Sequence, residues 1–80
     1  MNTTSEDRHL RWRCRRGMLE LDVMLTRFLE GRYPKLPAPE QASFRQLLET
    51  EDDQLWDWLS GRAAPPPDLE TICAAIRQPV

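Results

Sequence analysis

The spacing of apolar residues is the feature that most limits how this chain can fold. Apolar residues recur three or four positions apart along nearly the whole of the 80-residue sequence. No segment shows the strict alternation of polar and apolar residues that is typical of a half-buried strand. The clearest helical stripe consists of Leu69, Ile72, Cys73 and Ile76. Because 80 residues allow one domain and no more, the pattern predicts a single all-α domain.

Glycine and proline interrupt this spacing and divide the chain into segments. Proline pushes the residue before it out of the helical region, so residues 33–39 and 63–67 are expected to form two rigid, extended connectors. Residues 1–4 are expected to be flexible, and residues 1–80 are expected to form one compact five-helix bundle. The expected helices run from Thr4 or Ser5 to about Arg15, from about Met18 to Gly31, from Pro39 to about Thr50, from a cap at Asp52 or Asp53 until Gly61 stops the helix, and from Pro67 or Asp68 onward.

The helical register separates core residues from surface residues. Leu10 and Cys14 are expected to form the buried edge of the first helix, with Trp12 on its other side. Leu19 and Val23 fall away from the core stripe of the second helix, so we expect them to be exposed. In the second to fifth helices, the helical register predicts that Phe28, Phe44, Leu48, Trp58 and Ile72 lie in the core. Trp56 is expected in a lateral position.

The charge is unevenly distributed along the chain. Residues 1–16 contain five Arg and two acidic residues, whereas residues 49–80 contain seven acidic residues and two Arg. The net charge of −2 argues against nucleic-acid binding by overall charge. The arginine-rich segment 8–16 could still bind phosphates while Trp12 stacks on a base, so a small nucleic-acid-associated regulator is the alternative function. The simpler interpretation is a solvated basic face that balances the acidic last third.

Few residues of this chain suit metal binding or thiol chemistry. His9, Cys14 and Cys73 are too few for a structural zinc site, which needs four ligands. Cys14 could be a thiol activated by the nearby arginines, but its place on an apolar edge favours a buried structural thiol. No apolar run approaches the ~18 residues of a membrane span. Since the first residues also lack a secretory signal, we expect a cytoplasmic protein without membrane insertion.

Two carboxylates, Glu20 and Asp22, are the candidates for acid–base chemistry. Residues two positions apart on a helix point about 200° away from each other, so they cannot share one substrate. Asp22 lies beside the core stripe and is expected to pair with a basic group or a backbone donor. Glu20 is expected to be exposed on the face of Arg27. We therefore favour a recognition surface over catalysis, and a chain this short leaves little room for a substrate cleft.

Both signs of charge collect around Gly17. Arg15 and Arg16 precede this glycine, while Glu20 and Asp22 follow it. Such a junction is either a local cluster of salt bridges or a surface built for a partner. The residue types alone leave both interpretations open.

A longer pattern includes this junction. It begins with Trp12 and the motif Arg16-Gly17-x-x-Glu20-Leu21-Asp22. It continues through Phe28, Tyr33, Phe44, Leu47, Leu48, Asp52, Leu55, Trp58 and Leu59. Over about residues 8–77 this pattern resembles the SdhE family, the small flavinylation factors of succinate dehydrogenase.

The resemblance implies a function as well as a five-helix fold. Members of the family are assembly factors that bind the flavoprotein subunit of succinate dehydrogenase and promote covalent attachment of FAD to one of its histidines; fumarate reductase is a further candidate client. The factor would be no enzyme and would hold no cofactor stably, because FAD is delivered to or matured in the partner. The resemblance assigns partner binding to Arg16, Gly17 and Glu20, and more loosely to the neighbouring Trp12, Arg15 and Asp22.

Overall fold

The computed structural model describes residues 5–77, and its account of side chains begins at Arg8. Within residues 5–77 the chain forms five α-helices and no strand, which confirms the predicted all-α class. The expected flexibility of residues 1–4 lies outside the described residues. Two 3₁₀ helices complete the structure, at Tyr33–Lys35 and Pro67–Leu69. The α-helices are α1 (Ser5–Arg13), α2 (Leu19–Gly31), α3 (Ala38–Leu47), α4 (Asp52–Leu59) and α5 (Glu70–Arg77).

One apolar core joins the helices and follows the predicted register. The ring of Phe44 lies at its centre, with centroids 5.3 Å from Phe28 and 5.2 Å from Tyr33 in tilted arrangements that aromatic rings favour. The predicted burial of Trp58 and the intermediate exposure of Trp56 are both confirmed. The buried residues are Leu10, Cys14, Leu21, Leu25, Phe28, Leu29, Tyr33, Phe44, Leu47, Leu48, Leu55, Trp58, Leu59, Leu69, Ile72, Cys73 and Ile76.

Gly61 ends α4, as its sequence position predicts. It adopts a φ of +84°, the left-handed region in which a glycine has no Cβ to strain. The N–H groups of Gly61 and Arg62 donate to the carbonyls of Trp58 and Asp57, at 3.3 and 2.9 Å. This pair of bonds satisfies carbonyls that the end of a helix leaves open. The turn is therefore fixed by its own backbone.

The first helix and the first connector differ from the prediction. α1 ends at Arg13 rather than near Arg15, because the N–H of Arg15 donates to the carbonyl of Trp12 in a tighter turn and the following residues leave the helix. Residues 33–39 were predicted to be extended throughout, yet Tyr33–Lys35 forms a 3₁₀ turn with a proline in its first positions, where no N–H bond is lost.

The junction of α3 and α4 also differs from the prediction. α3 ends at Leu47 rather than near Thr50, since Glu49 and Thr50 donate to carbonyls three positions earlier and so form a turn. The sequence predicts either Asp52 or Asp53 as the cap of α4. Instead Glu51 is the cap residue, without a side-chain bond, and Asp52 is the first residue inside the helix. The carboxylate of Asp52 is free to bond elsewhere, and it does so with the segment before α2.

Candidate partner-binding site

Arg16 fastens the Arg-Gly loop, residues 14–18, to the α3–α4 turn, residues 48–51. Its Nε donates to Oδ1 of Asp52 at 2.7 Å. Its Nη1 donates to the carbonyls of Leu48 and Arg13, at 3.0 and 3.2 Å, and its Nη2 donates to the carbonyl of Thr50. The side chain is 12% exposed. Most of the N–H donors of Arg16 thus bond to groups within the protein.

The second oxygen of Asp52 binds the loop backbone. Oδ2 accepts the N–H of Gly17 at 3.1 Å and the N–H of Met18 at 3.4 Å. Met18 precedes α2 and makes no side-chain cap, so these bonds satisfy N–H groups that a helix start leaves open. A negative charge at this end of a helix is also favourable. The hydrogen bond from Arg16, helped by its charge and the two N–H groups, lowers the pKa of Asp52 below its ordinary 3.8 against the effect of partial burial.

Gly17 is exposed, and nothing in the fold requires a glycine there. Within the described residues, Gly61 alone has a positive φ, so the backbone of Gly17 lies in a region open to other residues. A Cβ built on Gly17 would meet only Oδ2 of Asp52, at the ordinary contact distance of 3.5 Å. The missing side chain therefore leaves the backbone of the loop accessible from outside without serving the packing inside.

One side of α2 beside this loop is exposed and mixes apolar and charged groups. Leu19 and Val23 are one turn apart and are 72% and 44% exposed, as the register predicts. Glu20 and Arg27 flank them on the same side, and both are exposed. Glu20 forms no ion pair with any residue for which the structure describes a side chain. Its carboxylate is thus available to a partner.

The three remaining candidate residues have different environments. Trp12 is 69% exposed on α1, and Arg15 is exposed in the Arg-Gly loop. Asp22 is half-buried and accepts the hydroxyl of Thr26 at 3.4 Å. Among the described residues, this hydroxyl replaces the expected basic group or backbone donor as the partner of Asp22, because Thr26 follows one turn later on the same side of α2.

Three arginines of the arginine-rich segment contact acidic side chains elsewhere in the protein. Arg11 pairs with Glu30 of α2 at 2.8 Å, and Arg13 lies 4.0 Å from Glu49. With Arg16 bound to Asp52, these contacts occupy three of the arginines that a phosphate-binding surface would need. The nucleic-acid alternative gains no support from this arrangement.

The thiol of Cys14 is buried, which confirms the structural interpretation over the reactive one. Burial raises its pKa to about 11, although the nearby Arg16 and Arg11 act in the opposite direction. The thiol is therefore protonated near neutral pH and poorly nucleophilic. In the part of the chain that the structure describes, no three His, Cys, Asp or Glu side chains gather as a metal site would require. None of the helices there is long and apolar enough to cross a membrane.

The structure brings Arg16, Gly17 and Asp52 into direct contact and leaves Glu20 beside them on the first turn of α2. The sequence assigned Asp52 only a capping role in α4 and a place in a family pattern. Its contact with the loop was missed because 35 positions separate it from Gly17, and no periodicity signals such a pairing. The partner-binding role of the six candidate residues stays a prediction.

A small all-α protein with a rigidly held loop and an exposed helix face beside it is suited to binding another protein. The family described as flavinator of succinate dehydrogenase matches residues 8–80. Since this match covers nearly the whole chain, the protein belongs to that family. The resemblance inferred from the sequence is confirmed.

Individual relatives agree with this assignment. A protein of Coxiella burnetii named FAD assembly factor SdhE is 46% identical over 65 residues, which cover 81% of this chain and 79% of the relative. Proteins of the same name from Pseudomonas aeruginosa and Legionella pneumophila are 48% and 39% identical. The first match covers 81% of this chain and 77% of the relative, and the second covers 90% and 91%.

Proposed function

We propose that this protein is a non-enzymatic assembly factor that binds the flavoprotein subunit of succinate dehydrogenase and promotes covalent attachment of FAD to it. The family description and the name of the relatives support the role in FAD assembly. The flavoprotein subunit of fumarate reductase is a second candidate client. We place this activity in the cytoplasm, as the sequence predicts.

The observation that carries this proposal is the exposed glycine of the Arg-Gly loop. Gly17 has neither the positive φ nor the internal crowding that would explain a glycine, so its use lies outside the molecule. A partner's backbone can approach the loop closely at this point, and any larger side chain would hold the two surfaces apart. This supports Gly17 as the centre of the proposed docking surface.

The first two turns of α2 supply the rest of the docking surface. The carboxylate of Glu20 is exposed and would make charge-assisted hydrogen bonds that fix the partner's orientation. Leu19 and Val23 would give apolar contact, since burying exposed aliphatic side chains is favourable. Trp12 and Arg15 would extend the surface across α1 and the loop.

The mechanism that fits such a surface is positioning. The chain would stabilise the conformation of the flavoprotein in which FAD and its acceptor histidine meet, and holding reactants in the correct geometry can itself remove much of a barrier. The chemistry of bond formation would belong to the flavin and the subunit that holds it. The factor would hold no cofactor stably.

Co-expression with the flavoprotein subunit tests this proposal. Covalent flavin is measured as fluorescence of the subunit in a denaturing gel, with wild type, Gly17→Arg and Glu20→Ala compared. We expect both variants to fold and to lose most of the flavinylation that wild type supports. The first blocks close approach and the second removes an ionic contact.

Two matched variants control for surface change alone. Gly31→Arg places the same side chain at an exposed glycine with nothing within 4 Å, and Glu70→Ala removes an exposed carboxylate from α5. Both should support flavinylation as wild type does. Full flavinylation by folded Gly17→Arg and Glu20→Ala would show that the docking surface is misplaced. No effect of wild type on flavinylation would refute the proposed function itself.

A further inference from the structure

We propose that Asp52 is a positioning residue for partner binding, which holds the Arg-Gly loop in its docking conformation, and that Arg16 acts through Asp52 rather than on the partner. This inference rests on the proposed function and assigns separate tasks within its site. Gly17 and Glu20 would contact the partner. Arg16 and Asp52 would keep them in place.

The geometry of a single carboxylate carries the inference. Oδ1 of Asp52 accepts Nε of Arg16, while Oδ2 accepts the N–H groups of Gly17 and Met18. Three consecutive residues of the loop are therefore bound to one side chain of α4. The other bonds of Arg16, to the carbonyls of Leu48 and Thr50, tie the same loop to the turn just before α4.

Among the described residues, no backbone carbonyl accepts the N–H groups of Gly17 and Met18, so Asp52 is their acceptor. Residues 15–18 belong to no helix, and Met18, the residue before α2, makes no side-chain cap. Gly17 also has more backbone freedom than any other residue type would have. Cys14 and Met18 pack on the core and hold the two ends of the loop, so loss of Asp52 would free mainly the backbone at Gly17. A partner would then have to select one of its conformations at a cost in affinity.

The surroundings of Arg16 differ from those expected of a residue that contacts the partner directly. Its side chain is 12% exposed, and four of its hydrogen bonds are internal. Leu19 and Glu20, by contrast, are exposed. The side chain of Asp52 is 31% exposed and bonded to the loop, whereas its neighbour Asp53 is exposed on the same first turn of α4. Asp53 is therefore a matched control that carries the same charge next to the same helix start.

The experiment measures the affinity of variants of the 80-residue chain for flavoprotein subunit purified from cells that lack the factor. The variants are Asp52→Asn, Asp53→Asn, Arg16→Gln and the double variant Arg16→Gln/Asp52→Asn, each shown to be folded by circular dichroism at the assay temperature. We expect Asp52→Asn to weaken binding about tenfold or more, and Asp53→Asn to stay within about twofold of wild type. The double variant should bind no more weakly than the weaker single variant, because both residues act as one unit.

Amide resonances of the free protein supply a readout that general loss of stability would not change. In Asp52→Asn, the N–H signals of Gly17 and Met18 should move upfield, since a bond to a carboxylate is lost, while the signals of core residues such as Phe44 stay in place. Arg16→Lys is compared with Arg16→Gln in the binding assay. It keeps the charge but not the planar fork that reaches Asp52 and the carbonyls together, so it should bind as weakly as Arg16→Gln.

Three outcomes would overturn the inference. The first is binding by Asp52→Asn as tight as that of Asp53→Asn, and the second is unchanged Gly17 and Met18 signals. The third is a double variant that loses the product of the two single effects, since Arg16 would then contact the partner independently. If wild type binds and one of these occurs, the inference alone fails. If wild type itself does not bind the flavoprotein subunit, the proposed function fails as well.

Discussion

Two glycine-containing turns of this protein are stabilised in opposite ways. The Arg-Gly loop is held by the side chain of Asp52, 35 positions from Gly17, whereas the turn at Gly61 is closed by backbone bonds within the same few residues. Gly61 has a φ of +84°, and a Cβ there would lie 2.9 Å from Nη2 of Arg77. Gly17 has an ordinary φ and room for a Cβ.

The difference separates a glycine that the fold needs from one that it does not. At Gly61 the backbone conformation itself excludes other residues, so the glycine explains the end of α4. At Gly17 no such constraint exists, and the surrounding surface includes exposed Leu19 and Glu20. We conclude that substitutions at the core positions of α4 and at the Gly61 turn should change mainly the stability of the fold. Substitutions at exposed positions in and beside the Arg-Gly loop should change mainly what the fold can bind.

The largest effect on stability is expected from the tryptophan that packs on the α4 side. Trp58 is buried, so Trp58→Ala should lower the free energy of unfolding by about 3–5 kcal/mol, as the loss of a large aromatic core side chain does. Trp12→Ala deletes the same side chain at a 69% exposed position near the loop and should change stability by no more than about 0.5 kcal/mol. Urea unfolding followed by circular dichroism measures both. Equal losses would show that the two regions do not differ as described.

An intermediate effect on stability is expected from substitutions of the two glycines, which allow a direct comparison of the two turns. Gly61→Ala should cost about 1–2 kcal/mol, because a residue with a Cβ is strained at this positive φ. Gly17→Ala should lie within about 0.5 kcal/mol of wild type, since a Cβ has space there. Thermal melts of the two variants side by side provide the measurement. A larger loss for Gly17→Ala than for Gly61→Ala would reverse the comparison.

The smallest effect on stability is expected when acid protonates Asp52, whose carboxylate holds the Arg-Gly loop. The pKa of Asp52 is lowered in the folded protein, so the unfolded chain takes up the proton first as the pH falls through 3.8. The contribution of Asp52 to stability is therefore present above about pH 4 and is lost below it. The free energy of unfolding of wild type should exceed that of Asp52→Asn by about 1 kcal/mol at pH 6, and this difference should shrink as the pH approaches 3.

Unfolding curves between pH 6 and pH 3 test this dependence, with Asp53→Asn as the control for loss of one exposed charge on the same turn. A difference between wild type and Asp52→Asn that stays constant over this range would mean that Asp52 does not owe its effect to the charged carboxylate.

The sequence by itself determined the helices, the core and the family. Helical spacing of apolar residues identified the five segments and buried residues such as Phe44 and Trp58, because burial of one face is what stabilises a short helix. Gly61 marked the end of α4, since a left-handed residue after a helix is a local requirement. The family pattern identified Gly17 and Glu20 as candidates, and the register placed Leu19 and Val23 on the surface.

Only the tertiary structure decided how the loop is held. The ends of α1 and α3, the cap of α4 and the partner of Asp22 all differ from the prediction. The pairing of Arg16 with Asp52 joins residues 36 positions apart, so it depends on how the helices pack and not on the preferences of either segment. An acidic residue near a helix start predicts a cap for that helix. Nothing in the sequence shows that the carboxylate of Asp52 instead bonds the residues before α2. That choice arises when the core brings the start of α4 against the residues that precede α2.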